Sequence, residues 1–402
     1  MKEQKELNSK LIYYLSLIGF FAIFSTTISK NPVLPLYAKA LGATEILLGL
    51  ISAFSPLAGI LFSFPVGLLS DKIGKKKLLI ISGVIFMISP LMYLFINNPI
   101  WLIPIRFFHG IATAILGPVI SAIIISKYQN NKGEKLGIYS SSTLVGRTLA
   151  PLLGGFIISY FTTSNLPISN YKYVYITAFL LSIPVFLCIL FLEKDKSSNK
   201  KVHIKDFYIN LRYFLKNKRL LSTSLVEMAS YFSYGVLETY LPIYLSKLEI
   251  PAYQIGIIFS LQIFSIAITK PFFGKLSDKI DKKKQILIGI MILGFSISLL
   301  GFFSSIIIES VIGIFFGLGL SFSTIATNSY IGEITKKDKL GSSLGLFSSL
   351  MDIGQSLGPL IAGFIISYFS FRLGFILCLV ISILSGINFF FSNFNSFNTK
   401  KR

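Results

Sequence analysis

The sequence predicts an all-α membrane protein, with twelve transmembrane helices forming two pseudo-symmetric six-helix bundles. Three observations predict it. Hydrophobic residues make up 53% of the 402 positions and charged residues 14%, with a mean hydropathy of +0.72. The second half of the chain repeats the first: Gly67-Leu-Leu-Ser-Asp71-Lys-Ile-Gly74-Lys75-Lys-Lys77 recurs as Gly274-Lys-Leu-Ser-Asp278-Lys-Ile-Asp281-Lys-Lys-Lys284. The lysines and arginines fall on alternate connections between apolar runs.

The runs themselves come first. A helix needs about 20 apolar residues to cross a bilayer core, and only helices or closed barrels satisfy their backbone there. The runs are continuous rather than alternating, which selects helices over barrel strands. Spans are expected at 11–40, 46–69, 78–97, 100–126, 136–161 and 173–192, then at 220–245, 253–276, 285–303, 306–332, 341–369 and 371–393. The first is too long for a secretory signal core, and no small-residue cleavage pattern follows it. Cys188 and Cys378 both fall inside spans and imply no disulfide framework.

Charge sets the topology. A formal charge of +21 invites a nucleic-acid reading, but its distribution points to a membrane instead. Counting a residue one position inside a span end with its adjoining connection, thirty of the 38 basic residues lie in the tails and the even-numbered connections; four (Lys39, Lys172, Lys247, Arg372) lie at the odd-numbered ones. That is a positive-inside pattern, with both termini and the 193–219 connection cytosolic in a cell membrane. A basic cytosolic face also suits anionic lipid headgroups. The expected organisation is an N-terminal bundle over 1–192, a linker over 193–219 and a C-terminal bundle over 220–402. Residues 203–216 read as an amphipathic helix lying on the membrane, or as a solvated linker helix.

The repeat is detailed. Leu34-Pro-Leu-Tyr37 returns as Leu241-Pro-Ile-Tyr244, and Gly110 as Gly317, both 207 residues on. Gly155-Phe-Ile-Ile-Ser-Tyr-Phe161 returns unchanged as Gly363-Phe-Ile-Ile-Ser-Tyr-Phe369, 208 residues on. Internal duplication with a central connection is a carrier architecture.

Gly67-x-x-x-Asp71-x-x-Gly74-Lys75-Lys76 resembles the signature between spans 2 and 3 of the major facilitator superfamily, and the resemblance covers essentially the whole chain. Lys75 stands where that family usually has Arg, and the second copy carries Asp281 in place of its second Gly. The resemblance implies a conformational lock made by Gly67, Asp71, Gly74, Lys75, Gly274 and Asp278. Asp71 would face the start of span 11 and Asp278 the start of span 5, each acid meeting the positive end of a helix. Gly67 and Gly274 are expected to let helices approach closely. The acid that often completes this network near the inner end of span 4 is Ser126 here; its counterpart is Glu333. Arg106-Phe-Phe-His109-Gly110 resembles the family's Arg-x-x-Gln-Gly motif. Gly146-Arg-Thr-Leu-Ala-Pro151-Leu-Leu-Gly154-Gly155 resembles the span-5 signature of drug:proton antiporters. Gly354-Gln-Ser-Leu-Gly358-Pro359-Leu-Ile-Ala-Gly363 echoes it in span 11. Proline kinks a helix and small residues flatten its face, so both stretches read as helix seams.

Ionisable residues inside spans each cost about 2.5–3.5 kcal/mol at a helix centre, so they read as functional. Besides His109, those singled out are Lys30, Arg106, Arg147, Glu227, Glu238, Lys270 and Asp352. In the family, spans 1, 4, 7 and 10 line the cavity. Glu238 is the repeat counterpart of Asn31, which adjoins Lys30. Approach of Lys30 to Glu238 across the cavity would give a proton-coupling cycle; a place near the outer headgroups is the plainer role for Glu238. Glu227, with Tyr231 and Tyr234, reads as a second proton or cation site or as a solvated vestibule acid. Arg147 has either Glu227 or Asp352 as a partner. Lys270 snorkels to the interface in its plainer reading, and His109 is a proton carrier or a hydrogen-bonded packing residue. Tyr37, Tyr231, Tyr234, Tyr240 and Tyr244 are expected to form an apolar, stacking cavity.

There is no Cys/His cluster with metal spacing and no phosphate-binding Gly-rich loop, so neither an enzyme nor an ATP-driven pump is expected, and no cofactor or metal. The expectation is a secondary active transporter working by alternating access, exporting a small lipophilic or amphiphilic compound against protons. Its partners would be substrate, protons and membrane lipids, with no nucleic acid, and the chain would act as a monomer. The rival readings are a proton-coupled carrier of a polar metabolite (a sugar or amino acid) and a non-transporting membrane sensor or scaffold on the same fold.

Overall fold

The computed structural model describes residues 2–128, 131–161, 167–192 and 204–394; within them, the side chains of residues 2–9, 64, 67–72, 167, 204–208 and 338 are not described. The described chain is all helical. In order it forms α1 (Lys2–Ile28), α2 (Val33–Ala40), α3 (Glu45–Ile73), α4 (Lys75–Tyr93), α5 (Leu102–Lys127), α6 (Lys132–Tyr160) and α7 (Pro167–Leu190). Then follow α8 (Ile204–Lys216), α9 (Lys218–Lys247), α10 (Ala252–Ser277), α11 (Lys282–Leu299), α12 (Ile306–Ile334), α13 (Leu340–Tyr368) and α14 (Phe371–Phe394). Short 3-10 turns precede α5 and α13.

Every expected span meets a helix, with two departures. Span 1 is interrupted: α1 stops at Ile28 and α2 resumes at Val33. Pro32 has no backbone N–H and restricts the residue before it, so the helix is interrupted where Lys30 and Asn31 sit. At the same register the second half has Thr239, and α9 runs on through it. Secondly, ten stretches of the described chain, not twelve, are long and apolar enough to cross a membrane. α9 and α11 fall short for physical reasons. α9 is buried along most of its length against its neighbours, which lets it carry Glu227, Glu238 and many hydroxyls. α11 begins with Lys282, Lys283 and Lys284, which leaves a short apolar stretch behind them.

Helices divide into two compact units. The first is Met1–Ala43, Phe54–Lys201 and Glu249–Ser260; the second is Thr44–Ala53, Val202–Leu248 and Leu261–Arg402. Helix partners repeat within them. α1 packs on α6 and α7, and α4 on α5 and α7; likewise α9 packs on α13 and α14, and α11 on α12 and α14. Leu15, Ile18, Phe86, Leu116 and Ile189 lie in the core of the first unit.

α8 is docked on the second unit. Phe214 is buried with Leu220, Ile331 and Phe347, Asn210 donates to the Ser342 hydroxyl at 2.8 Å, and Lys339 donates to Asn210 at 2.9 Å. Ile209 and Leu215 remain exposed beside it.

The lysine-rich hairpins have a physical function in each unit. Lys76 donates to the carbonyls of Leu190 and Leu192 at the end of α7. Its counterpart Lys283 donates to the Asn393 carbonyl near the end of α14 at 3.0 Å. Helix C-termini leave carbonyls without intrahelical partners, and a cation there also meets the negative end of the dipole.

Candidate functional site

In the second unit two carboxylates project from α9. Glu227 is 1% exposed and accepts from the Thr327 hydroxyl of α12 at 2.6 Å. Lys270 of α10 lies close enough to act on that carboxylate through space. Tyr231 and Tyr234 stand edge to face at 5.9 Å, and Tyr234 stacks on Phe316. Asn328 donates to the Thr324 carbonyl one turn before Thr327 at the same helix end. A buried acid, hydroxyls, an amide and aromatic faces therefore converge on one wall of α9 and α12. Glu238, three turns further along α9, accepts from Gln355 of α13 at 3.0 Å. Gln355 is the repeat counterpart of Arg147.

The first unit carries mostly cations. Lys30 and Asn31 occupy the break between α1 and α2. His109 Nε2 meets the Thr26 hydroxyl at 3.1 Å, with the Phe86 ring edge-on to the imidazole. Arg106 is 1% exposed and lies beside Tyr93, which stacks on Tyr175 at 4.4 Å. Trp101, at the start of the same span, is exposed. Arg147 is exposed on α6 and Asp352 is half-buried on α13.

Three of the five tyrosines use their hydroxyls within their own unit. Tyr37 is fully buried and donates to the carbonyls of Tyr93 and Ile96. Tyr240 is equally buried and donates to the carbonyls of Glu45 and Pro359 at 2.9 and 2.8 Å. Tyr244 is held by the Phe303 carbonyl. These three hydroxyls each pin a helix or loop carbonyl, whereas Tyr231 and Tyr234 follow Glu227 by one and two turns of α9.

The seam residues lie at close helix contacts. A Cβ on Gly146 would meet the Phe20 carbonyl at 2.7 Å, and one on Gly154 would press on Val33 and Ile28. Gly155 abuts Ala252, and Pro151 presents its carbonyl to Gly256. In the second unit Gly354 abuts Met228, Gly358 abuts Phe232, Gly363 abuts Tyr240 and Glu45, and Pro359 lies against Gly49 and Gly235. The absence of a side chain is what lets α6 lie on α1, and α13 on α9.

The lock motif is part-visible. The side chains of Gly67 and Asp71 are outside the described residues. Gly74 takes φ +93° before α4, a conformation that favours glycine. Lys75 donates to Ser126 at 3.3 Å. Gly274 is not at a close approach: a Cβ there would meet no described atom within 4 Å. Asp278 is exposed just beyond α10.

Sequence reasoning passed over Thr327, Thr26 and Glu309. Thr327 was legible as part of the polar run Ser323-Thr324-…-Thr327-Asn328 inside an apolar span.

The sequence profile of the Major Facilitator Superfamily matches residues 15–253 and 223–399. The chain belongs to that superfamily. It is 28% identical over 358 residues to an MFS-type transporter of Methanocaldococcus jannaschii, covering 89% of this chain and 91% of the relative. It is 25% identical to the multi-drug resistance efflux pump PmrA homolog of Lactococcus lactis, covering 97% of each. Its fold matches the crystal structure of a bacterial homolog of the human lysosomal transporter Spinster, with a TM-score of 0.80 over 96% of each chain at 15% identity. A superfamily member of this kind is a multi-pass membrane transporter of small molecules and not an enzyme.

Proposed function

We propose that this transporter works by alternating access and couples export of a small lipophilic or amphiphilic compound to protons. Twelve spans in two bundles, 1–192 and 220–402, would rock about a central site, with both termini in the cytosol of a cell membrane. The observation that carries the reading is Glu227, buried on α9 with one hydroxyl partner and the Lys270 charge nearby. A buried carboxyl is least costly when a proton or a cationic cargo neutralises it, so the two can compete for one site. The efflux pump relative supports the choice of cargo and direction.

Glu238 takes the second coupling role, with approach to Lys30 across the cavity favouring its charged form and separation favouring its protonated form. Asp71 and Asp278 would each hold one orientation of the halves. Arg147 and Asp352 lie by the seams, and Arg106 and His109 brace the outer part of span 4.

The test is transport by the purified, full-length protein in sealed vesicles with an imposed pH gradient. Lipophilic dyes should be driven against the proton gradient, and sugars and amino acids should not. Glu227→Gln should lower gradient-driven dye flux about 100-fold, with dye counterflow kept. Dye flux indifferent to the gradient in the wild type would overturn proton coupling. Unaltered flux in both Glu227→Gln and Glu238→Gln would overturn the residue assignment alone.

A further inference from the structure

Each unit closes its lysine-poor, outer end with a tyrosine. Tyr37 donates to the Ile96 carbonyl at 3.1 Å, and its counterpart Tyr244 donates to the Phe303 carbonyl at 3.1 Å. Ile96 and Phe303 are themselves counterparts, 207 residues apart. Close to the first staple lies a buried cation, Arg106. Close to the second lies a buried acid, Glu309, to which nothing above gives a role.

Glu309 stands in the first turn of α12 and is 0% exposed. Neither of its carboxylate oxygens finds a hydrogen-bond partner among the described residues, although the Gly301 backbone N–H lies close by. The Gly301 carbonyl accepts from Arg372 at 2.8 Å, and the Arg372 guanidinium lies over the Phe302 ring. The titratable groups around the acid are therefore Tyr244 from α9 and, across the Gly301 loop, Arg372 from α14. Lys247 of α9 is turned to Glu45 at 3.4 Å. The α11 end and its loop to α12 carry no charge.

A helix N-terminus stabilises an acid in its first turn by about 0.3–1 kcal/mol. Shutting an ionised carboxylate away from water with no donor costs several times that. An acid kept only for the dipole would sit in water, as Glu134 does on α6. Complete burial suits a carboxyl that carries its proton while the outer end is closed and gives it up when water enters.

We propose that Glu309 is a proton-binding site at the outer end of the second unit, loaded while the Tyr244 staple is closed and emptied when that end opens to water. The proposal rests on the proton-coupled reading and adds to it a second site. Glu309 is 18 residues from Thr327, about 27 Å along α12 from the partner of Glu227. Two carboxyls near opposite ends of one helix pair would let the protein take a proton on one side and release one on the other.

The experiment is infrared difference spectroscopy of the full-length protein in vesicles as the bath pH is stepped, read at the protonated-carboxyl stretch. Wild type, Glu309→Gln and Glu309→Asp are compared, alongside gradient-driven flux and gradient-free counterflow of the same dye. Glu309→Gln should lose one titrating carboxyl band and about tenfold of gradient-driven flux, with counterflow kept. Glu309→Asp should keep the band at a displaced frequency and recover flux. A band set unchanged in both variants overturns the proposal, as does flux lost with its pH profile unmoved. Wild-type flux that ignores the gradient overturns the coupling reading instead, and the band assignment is then read by itself.

Discussion

The first repeat begins α4 on Gly74, at φ +93°, with no side-chain cap; the second begins α11 on Asp281, whose carboxylate accepts from the Lys283 N–H at 2.9 Å. Thus the departure from the hairpin signature at Asp281 exchanges one helix start for another: a backbone conformation for a side-chain cap. Other pairs behave alike. Lys75 meets a hydroxyl, Ser126, where Lys282 meets a carboxylate, Glu333, at 2.6 Å. Span 1 breaks at Pro32 where α9 is continuous at Thr239. The halves share the places where helices must touch or end, and differ in the charge and backbone freedom at those places. Duplicated architecture leaves the halves free to specialise: the first bears the cations Lys30, Arg106 and Arg147, the second the acids Glu227, Glu238, Glu309 and Asp352 with the cation Lys270.

The seams give the largest expected effect and test whether the shared contacts are as tight as their geometry. Gly358 and Gly345 lie on the same helix, α13, but a Cβ at Gly358 would run into the Phe232 backbone while one at Gly345 would meet nothing within 4 Å among described atoms. Backbone cannot rotate out of the way as a side chain can. Gly358→Val should cost about 3 kcal/mol or more, seen as a large fall in the detergent melting temperature or in recovered protein. Gly345→Ala should raise stability by up to about 1 kcal/mol through helix propensity. Equal effects at the two positions would mean that α13 and α9 are not held as closely as described. The corresponding position in the first repeat, Ala150 for Gly358, already carries a methyl group, so α6 and α1 should tolerate Ala150→Gly at a cost of about 1 kcal/mol.

Next in size is the pair of tyrosine staples. The Tyr37 hydroxyl is buried and addresses two carbonyls; the Tyr244 hydroxyl addresses one and lies in a more open place. A buried carbonyl that loses its donor costs about 1–3 kcal/mol, while one that water reaches costs much less. Tyr37→Phe should therefore lower the melting temperature clearly and Tyr244→Phe by a smaller amount, about 0.5–1 kcal/mol. The reverse order would show that water reaches the first staple and not the second.

Much of this was legible before any coordinates. Run length placed each expected span on a helix or, for span 1, on a broken pair, because bilayer thickness acts on sequence directly. The seams were legible because close packing allows only small residues. Three things were not. The α1 break depends on a single proline that elsewhere, as at Pro35 and Pro242, sits inside a helix. The tyrosines looked like cavity lining because a phenol is equally at home stacking on cargo or donating to a carbonyl. Glu309, a few residues inside an expected span, resembles an interfacial acid in sequence; only its burial without a well-formed hydrogen bond distinguishes it.

The smallest effect bears on how the repeats diverged at their lysine-rich ends. Lys282 and Glu333 form an ion pair in which the carboxylate is about half exposed. Pairs of this kind contribute about 0.2–1 kcal/mol, screened further by salt. Ser126→Glu would place a carboxylate beside Lys75, which already reaches that position at 3.3 Å. The gain should be about 0.5 kcal/mol at low ionic strength and vanish in molar salt, mirrored by an equal loss in Glu333→Ser. Melting temperatures of the two variants and of the double exchange, at low and high salt, read this directly. If the double exchange restores wild-type stability, the acid is interchangeable between repeats. If Glu333→Ser is tolerated but Ser126→Glu destabilises at low salt, the first repeat excludes a negative charge there, and the asymmetry has a cause beyond this pair.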